Sequence, residues 1–160
     1  MQDDNSTSIK AGDRAADIRH TARMTQISPK QANAWLEQYF AEWVRAPGLE
    51  ITAIGPEACT MIMQMSPAIL RHGGIVSGQA LAMLADTAMV FACAGHAGDF
   101  MPVATSNLET RFLRPASGEN IRCDATVVRA GRSVIFAEAT MTDEPSGKLV
   151  ARASATFIKT

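Results

Sequence analysis

One stretch constrains the fold more than any other. From Ala80 to Ala94 the chain is almost wholly Ala, Leu, Met, Val, Phe and Cys; Asp86 is its only charged residue and Thr87 its only other polar one. Ala, Leu and Met favour helix over strand. The helix, expected from Gly78 to about Ala94, is hydrophobic nearly all round and must therefore be buried on most sides. It is too short for a comfortable membrane span and Asp86 interrupts it, so a buried central helix accounts for it better.

Only one other helix is expected. Ser28 and Pro29 form an N-cap and first helical position, and Trp35, Tyr39 and Trp43 recur at helical spacing to about Val44. Ala46-Pro47-Gly48 stops it. The remaining segments read as strands. Leu49–Ile54 is one, and Cys59, Met61, Met63 and Met65 alternate with Thr60, Ile62 and Gln64 in the next. A glycine-rich loop precedes the apolar helix, and four strands follow it. These are Ala104–Leu113, ended by Pro115; a strand alternating Ile121, Cys123, Ala125 and Val127 with polar residues; Ser133–Met141, after the Ala130-Gly131 turn; and a last strand alternating Ala151, Ala153, Ala155 and Phe157. A doubly wound sheet needs helices between its strands, and this order has none after the central one. The order predicts an α+β domain, one antiparallel sheet wrapped around the apolar helix. A single such helix also needs cover on its far side, which implies a partner subunit.

The chain of 160 residues is long enough for one domain with a real core. Residues 1–27 are polar, mixed in charge and without periodicity, and are expected to be a mobile tail preceding a single domain at 28–160. The tail has no apolar segment of the secretory kind, and with three cysteines inside apolar runs the expected compartment is the cytoplasm. A net charge of -1 gives no whole-molecule field for nucleic acid or a membrane surface. His20, His72, His96 and the cysteines have no metal-ligand spacing, and no phosphate loop, dinucleotide fingerprint or serine-nucleophile elbow is present. His96 reads as part of the helix C-terminus.

Asp86 is the first candidate for chemistry. An isolated carboxylate in an apolar helix is costly to desolvate, and alanine or asparagine would avoid that cost. The alternatives are an ion pair with an arginine on a neighbouring strand, or a functional site. Ser77 should cap the helix, leaving the Gly78 N–H without an internal acceptor and aimed at whatever lies beyond. A substrate carbonyl could approach closely there, because glycine has no side chain. Asp86 lies eight residues on, roughly 12 Å along the helix. One acyl carbon touches both groups only if an antiparallel helix from a second subunit supplies one of them. The expected site is completed by a dimer.

The stretch Arg71-His72-Gly73-Gly74-Ile75-Val76-Ser77-Gly78-Gln79, the segment Leu84-Ala85-Asp86-Thr87-Ala88 and the later Phe112-Leu113-Arg114-Pro115-Ala116 carry a family resemblance. In their order and spacing they resemble the phenylacetate-degradation type of hotdog thioesterases, over about residues 30–158. The fold the resemblance implies is the hotdog fold. These enzymes carry a His-Gly-Gly whose histidine precedes the catalytic acid by a shorter interval than His72 precedes Asp86, which is fourteen residues. Counting back, the family's histidine falls on Ser77, its oxyanion-binding glycine on Gly78, and its upstream asparagine or glutamine on Arg71. His72 is then a loop residue beside the site.

The implied reaction is hydrolysis of an acyl- or aryl-CoA. The Gly78 N–H polarises the carbonyl, and Asp86 serves as nucleophile or as base for water, with no cofactor because coenzyme A is part of the substrate. Thr105 falls where relatives place a water-positioning hydroxyl, with Ser106 the fallback. Arg71, His72, Gly73, Gly74 and Gln79 flank the substrate. Five arginines between residues 111 and 132 face only Glu119 and Asp124, and arginine forks suit phosphates. Turns like Arg129-Ala130-Gly131-Arg132-Ser133 line the CoA nucleotide in the family, and Arg114 stands nearby in sequence. A homodimer, and beyond it a homotetramer, is implied. The rival readings are a hotdog hydratase or dehydratase, which needs a histidine beside the acid, and a non-catalytic acyl-CoA sensor.

Overall fold

A computed structural model of the chain describes residues 26–160. Most of the expected N-terminal tail, residues 1–25, lies outside the described residues, and Ile27 is already buried in the core. Helix α1 (Pro29–Tyr39) starts where expected, with the Gln31 N–H donating to Ser28 Oγ at 3.2 Å. It does not run on to Val44. Phe40 and Ala41 turn extended, and a single turn, α2 (Glu42–Arg45), follows. The break turns the Phe40 ring inward, where it stacks on Phe91 with ring centroids 5.4 Å apart. Tyr39 and Trp35 instead close over Phe100, and Trp43 stays 69% exposed. Aromatic contacts across the fold have overridden helical spacing here.

The sheet follows the expected order. Strands β1 (Leu49–Gly55) and β2 (Ala58–Gln64) precede a small hairpin of β3 (Leu70–Arg71) and β4 (Ile75–Val76). Then come the central helix α3 (Gly78–Ala97) and the strands β5 (Val103–Phe112), β6 (Asn120–Ala130), β7 (Val134–Glu144) and β8 (Lys148–Lys159). Six strands form one antiparallel sheet in the order β1-β2-β6-β7-β8-β5. The hairpin was expected only as a loop. It forms because Gly73 (φ 90°) and Gly74 (φ 70°) supply the left-handed turn that other residues resist.

Alternation does the rest. Cys59, Met61 and Met63 on β2, Ile121, Cys123 and Ala125 on β6, and Ala151, Ala153, Ala155 and Phe157 on β8 are all buried. Leu84, Ala85, Ala88, Met89, Phe91 and Ala92 of α3 pack on this face. Each large side chain removed from water there contributes about 1.5–3 kcal/mol. α3 runs one turn further than expected, to Gly98 in the left-handed conformation, with His96 in its last turn paired to Glu57 at 3.2 Å. Helix and sheet meet so closely that a Cβ on Gly95 would lie 2.2 Å from the Gly55 carbonyl oxygen. By length and composition α3 could cross a membrane, but it is the core helix of this domain.

Candidate active site

α3 is not covered all round. Gln79 is exposed and Ala82, Met83, Asp86 and Val90 are half-buried, a stripe at helical spacing along one side. Thr87, the other polar residue, is buried and donates to the Met83 carbonyl at 2.8 Å, so its hydroxyl is satisfied within the helix. Asp86 points out of the sheet-facing core instead. Its Oδ1 accepts a hydrogen bond from the Thr105 hydroxyl at 3.0 Å. Partial burial pushes the carboxyl above its ordinary range, and the Thr105 hydrogen bond opposes that by favouring the ionised form. The partner is a hydroxyl and not an arginine, so the structural alternative of an ion pair is not what the fold provides.

A bulge decides between Thr105 and Ser106. On β5, Phe112, Thr110 and Leu108 stand opposite Ala151, Ala153 and Ala155, the helix-facing side of β8. Strict alternation would next bring Ser106 to that side. The register instead shifts between Thr105 and Asn107, leaving Ser106 without a partner and setting Thr105 opposite the buried Phe157. One extra residue thus aims a threonine at Asp86.

Gly78 is the first residue of α3, and Ser77 caps it by accepting from the Ala80 N–H at 3.3 Å. The Gly78 N–H has no acceptor among the described residues. A Cβ at this position would stand 3.1 Å from the end of the Phe112 ring, itself 55% exposed. Within the protomer Gly78 and Asp86 stay eight residues apart on one helix, and the fold does not bring them together. Phe112, which the sequence offered only as part of the Phe112–Ala116 motif, lies against Gly78 and lines the adjoining cavity; an aromatic ending a strand just before Leu113 and Arg114 was the available signal.

The other expected residues divide between the two ends of the molecule. Arg71, His72, Gly73 and Gly74 are exposed on the β3–β4 hairpin, beside Gly78 and, across a cavity, Arg114. Arg129, Gly131, Arg132 and Ser133 form the β6–β7 turn, next to the β8 residues that pair with Val103 and Ala104 and so at the Asp86–Thr105 end. The run of five arginines is therefore not one phosphate patch. Arg111 and Arg122 pair with Glu109 and Asp124 two residues away on their own strands, and Arg114 Nη1 donates to the Leu149 carbonyl at 2.9 Å. Residues close in sequence were separated because strands carry them to opposite ends of the sheet. The three cysteines are buried and unpaired, and burial pushes the Cys59 and Cys93 thiols up to about 12, which leaves them inert.

Comparison with known proteins bears on the family and the fold. The family model described as Thioesterase superfamily matches residues 73–150, a span holding every candidate site residue except Arg71 and His72. No curated protein matches the chain. A conserved protein of Pseudomonas aeruginosa is 27% identical, with a TM-score of 0.71 over 78% of this chain and 98% of its own. A thioesterase of Haemophilus influenzae (20% identity, TM-score 0.74, 82% and 90% covered) shares the fold. So does a mutant of the phenylacetic acid degradation protein PaaI of Thermus thermophilus (21%, 0.66, 75% and 100%). Over residues 73–150, just under half of its length, the chain matches the thioesterase superfamily, hydrolases that act on thioester bonds, and its fold is the hotdog fold of such proteins.

Proposed function

We propose that this protein is an acyl-CoA thioesterase whose site is completed between two protomers. The observation that carries the reading is Asp86 itself. It is the one carboxylate on the uncovered stripe of α3, held by a threonine hydroxyl at 3.0 Å and raised in pKa by burial. Such a group can attack a thioester carbonyl or take a proton from water that does. Thiolate is a good leaving group, so no strong general acid is required. The Gly78 N–H of one protomer polarises the carbonyl that Asp86 of its partner attacks, and one such donor contributes roughly 3–4 kcal/mol to the transition state. Ser77 acts through the helix cap, holding that amide in place.

Two further features support a dimer built along β5 and the α3 stripe. β5 is a sheet edge of ten residues with no described strand beyond it. The stripe Ala82, Met83 and Val90 is apolar enough to prefer cover. Antiparallel α3 helices across this edge set the start of one beside the middle of the other. The Arg129–Ser133 turn, at the Asp86 end, suits the CoA nucleotide, and Gln79 with the hairpin flanks the thioester. A cytoplasmic homodimer, with pairing of dimers into a tetramer, is the assembly we infer. The hydratase reading is weaker because the hydrogen-bond partner of Asp86 is Thr105, while His72 sits on an exposed hairpin before α3.

The test is thiol release from a panel of aliphatic and aryl acyl-CoAs, wild type beside Asp86→Asn. The expected result is turnover of some member that falls about 100- to 10,000-fold in the variant. Asp86→Asn should also raise Tm, because it removes a carboxylate that burial disfavours. Binding of acyl-CoA without turnover, unchanged by the substitution, would favour the sensor.

A further inference from the structure

We propose that the cavity between the β3–β4 hairpin and the end of β5 is a subsite for an anionic oxygen group of the substrate, a carboxylate or a phosphate. The inference rests on the thioesterase reading and deepens it. The cavity, of about 400 Å³, is lined by Arg71, Ile75, Val76, Gly78, Leu81, Phe112, Leu113, Arg114 and Pro115. Two arginines therefore face it, no carboxylate does, and the rest of its lining is apolar or backbone.

Among the described residues neither of these two arginines is paired with a carboxylate, a state that Arg129, Arg132 and Arg152 share elsewhere on the surface. Arg45, Arg111 and Arg122 each pair with a carboxylate, from Glu37, Glu109 and Asp124. Arg71 has no ion pair or side-chain hydrogen bond among the described residues. Arg114 gives one N–H to the Leu149 carbonyl at 2.9 Å, which orients the guanidinium and leaves its other donors free. The fold holds the pair together through its backbone. The Val76 N–H donates to the Ala116 carbonyl at 3.0 Å, tying the hairpin to the turn after β5. Leu113 and Arg114 N–H groups share the Val150 carbonyl at 2.8 and 3.2 Å.

Two cations over an apolar floor, Arg114 oriented by its carbonyl contact and Arg71 free to turn, match a ligand with an apolar body and an anionic end beside the proposed carbonyl donor. Arginine forks take either carboxylate or phosphate oxygens in pairs. An acyl or aryl group bearing its own carboxylate would present the first, and the CoA moiety the second.

The experiment measures calorimetric Kd on the Asp86→Asn background, with and without Arg71→Gln, for four ligands. These are glutaryl-CoA, valeryl-CoA and the pantetheine thioesters of the same two acyl groups. Loss of a charge-assisted pair predicts about a tenfold weakening for the ligands whose anion is read. Weakening confined to both glutaryl ligands assigns the subsite to an acyl carboxylate; weakening confined to both CoA ligands assigns it to phosphate. Either result supports the proposal. No weakening anywhere, or equal weakening of the uncharged valeryl-pantetheine, overturns it. Arg114→Gln repeats the measurement from the other side of the cavity. Failure of wild type to release thiol from any of the four would count against the thioesterase reading and leave the binding result standing.

Discussion

Along β1 the outer edge of the sheet is occupied. Asn33 of α1 donates from Nδ2 to the Ile51 carbonyl at 2.8 Å and accepts from the Ile51 N–H at 2.9 Å, as a neighbouring strand would. A register shift beside Ile51 further breaks the regular edge. Along β5 no described element pairs with the outer edge, although its ten residues are a longer run than the seven of β1. One side chain closes an edge that has no chemistry near it, while the open edge runs past Asp86, Thr105 and the uncovered stripe of α3. An open edge invites pairing with another chain unless something blunts it. On the proposed reading that exposure is used, since the same surface that needs cover holds half of a catalytic site.

The comparison can be broken most sharply from the middle of the stripe. Ala82 is half-buried in the protomer, so Ala82→Glu should fold and yet set an unpaired charge into the helix pair. Burying such a charge costs about 3–5 kcal/mol, enough to dissociate the dimer and lower activity by about 100-fold or more. Sedimentation velocity and thiol release read both effects; a fully active dimer would remove α3 from the interface.

Thr105→Val should act less strongly, and through pH. The Thr105 hydroxyl stabilises the Asp86 carboxylate, so its loss raises the Asp86 pKa further. On the proposed mechanism activity needs the ionised acid and is lost as pH falls through that pKa. The acid limb of kcat/KM should already lie above the ordinary carboxylate range, move to higher pH in Thr105→Val, and return in Thr105→Ser. An unmoved limb would mean the hydroxyl does not act through Asp86. The smallest effect belongs to the closed edge. Asn33→Ala should lower stability by about 1–3 kcal/mol, measured by denaturant unfolding, with specific activity unchanged.

The same contrast explains what was legible in the sequence. Element order, the apolar α3 and the alternation of β2, β6 and β8 could be read because each is a local pattern repeated over many residues. Asp86 was legible as the one charge in an apolar run, and Ser77 and Gly78 as a cap. The break at Phe40 was not, since it depends on Phe91 lying about 50 residues away. The bulge at Ser106 was not, because a register shift is set by the facing strand. The scattering of Arg111, Arg114, Arg122, Arg129 and Arg132 was hidden for the same reason: proximity in sequence says nothing about which end of a strand a side chain occupies.

The most direct test of the proposed shared site is complementation. Gly78→Pro removes the proposed N–H donor at a helix position that proline suits, after a Ser77 already extended at ψ 148°. Asp86→Asn removes the acid. Each variant alone should be nearly inactive. Co-expressed, half of the dimers would be mixed, and each mixed dimer would carry one intact site, giving about a quarter of wild-type activity. Recovery to that level is the result this account predicts. Activity no greater than the sum of the two separate variants would show that Gly78 and Asp86 do not serve one site across the dimer.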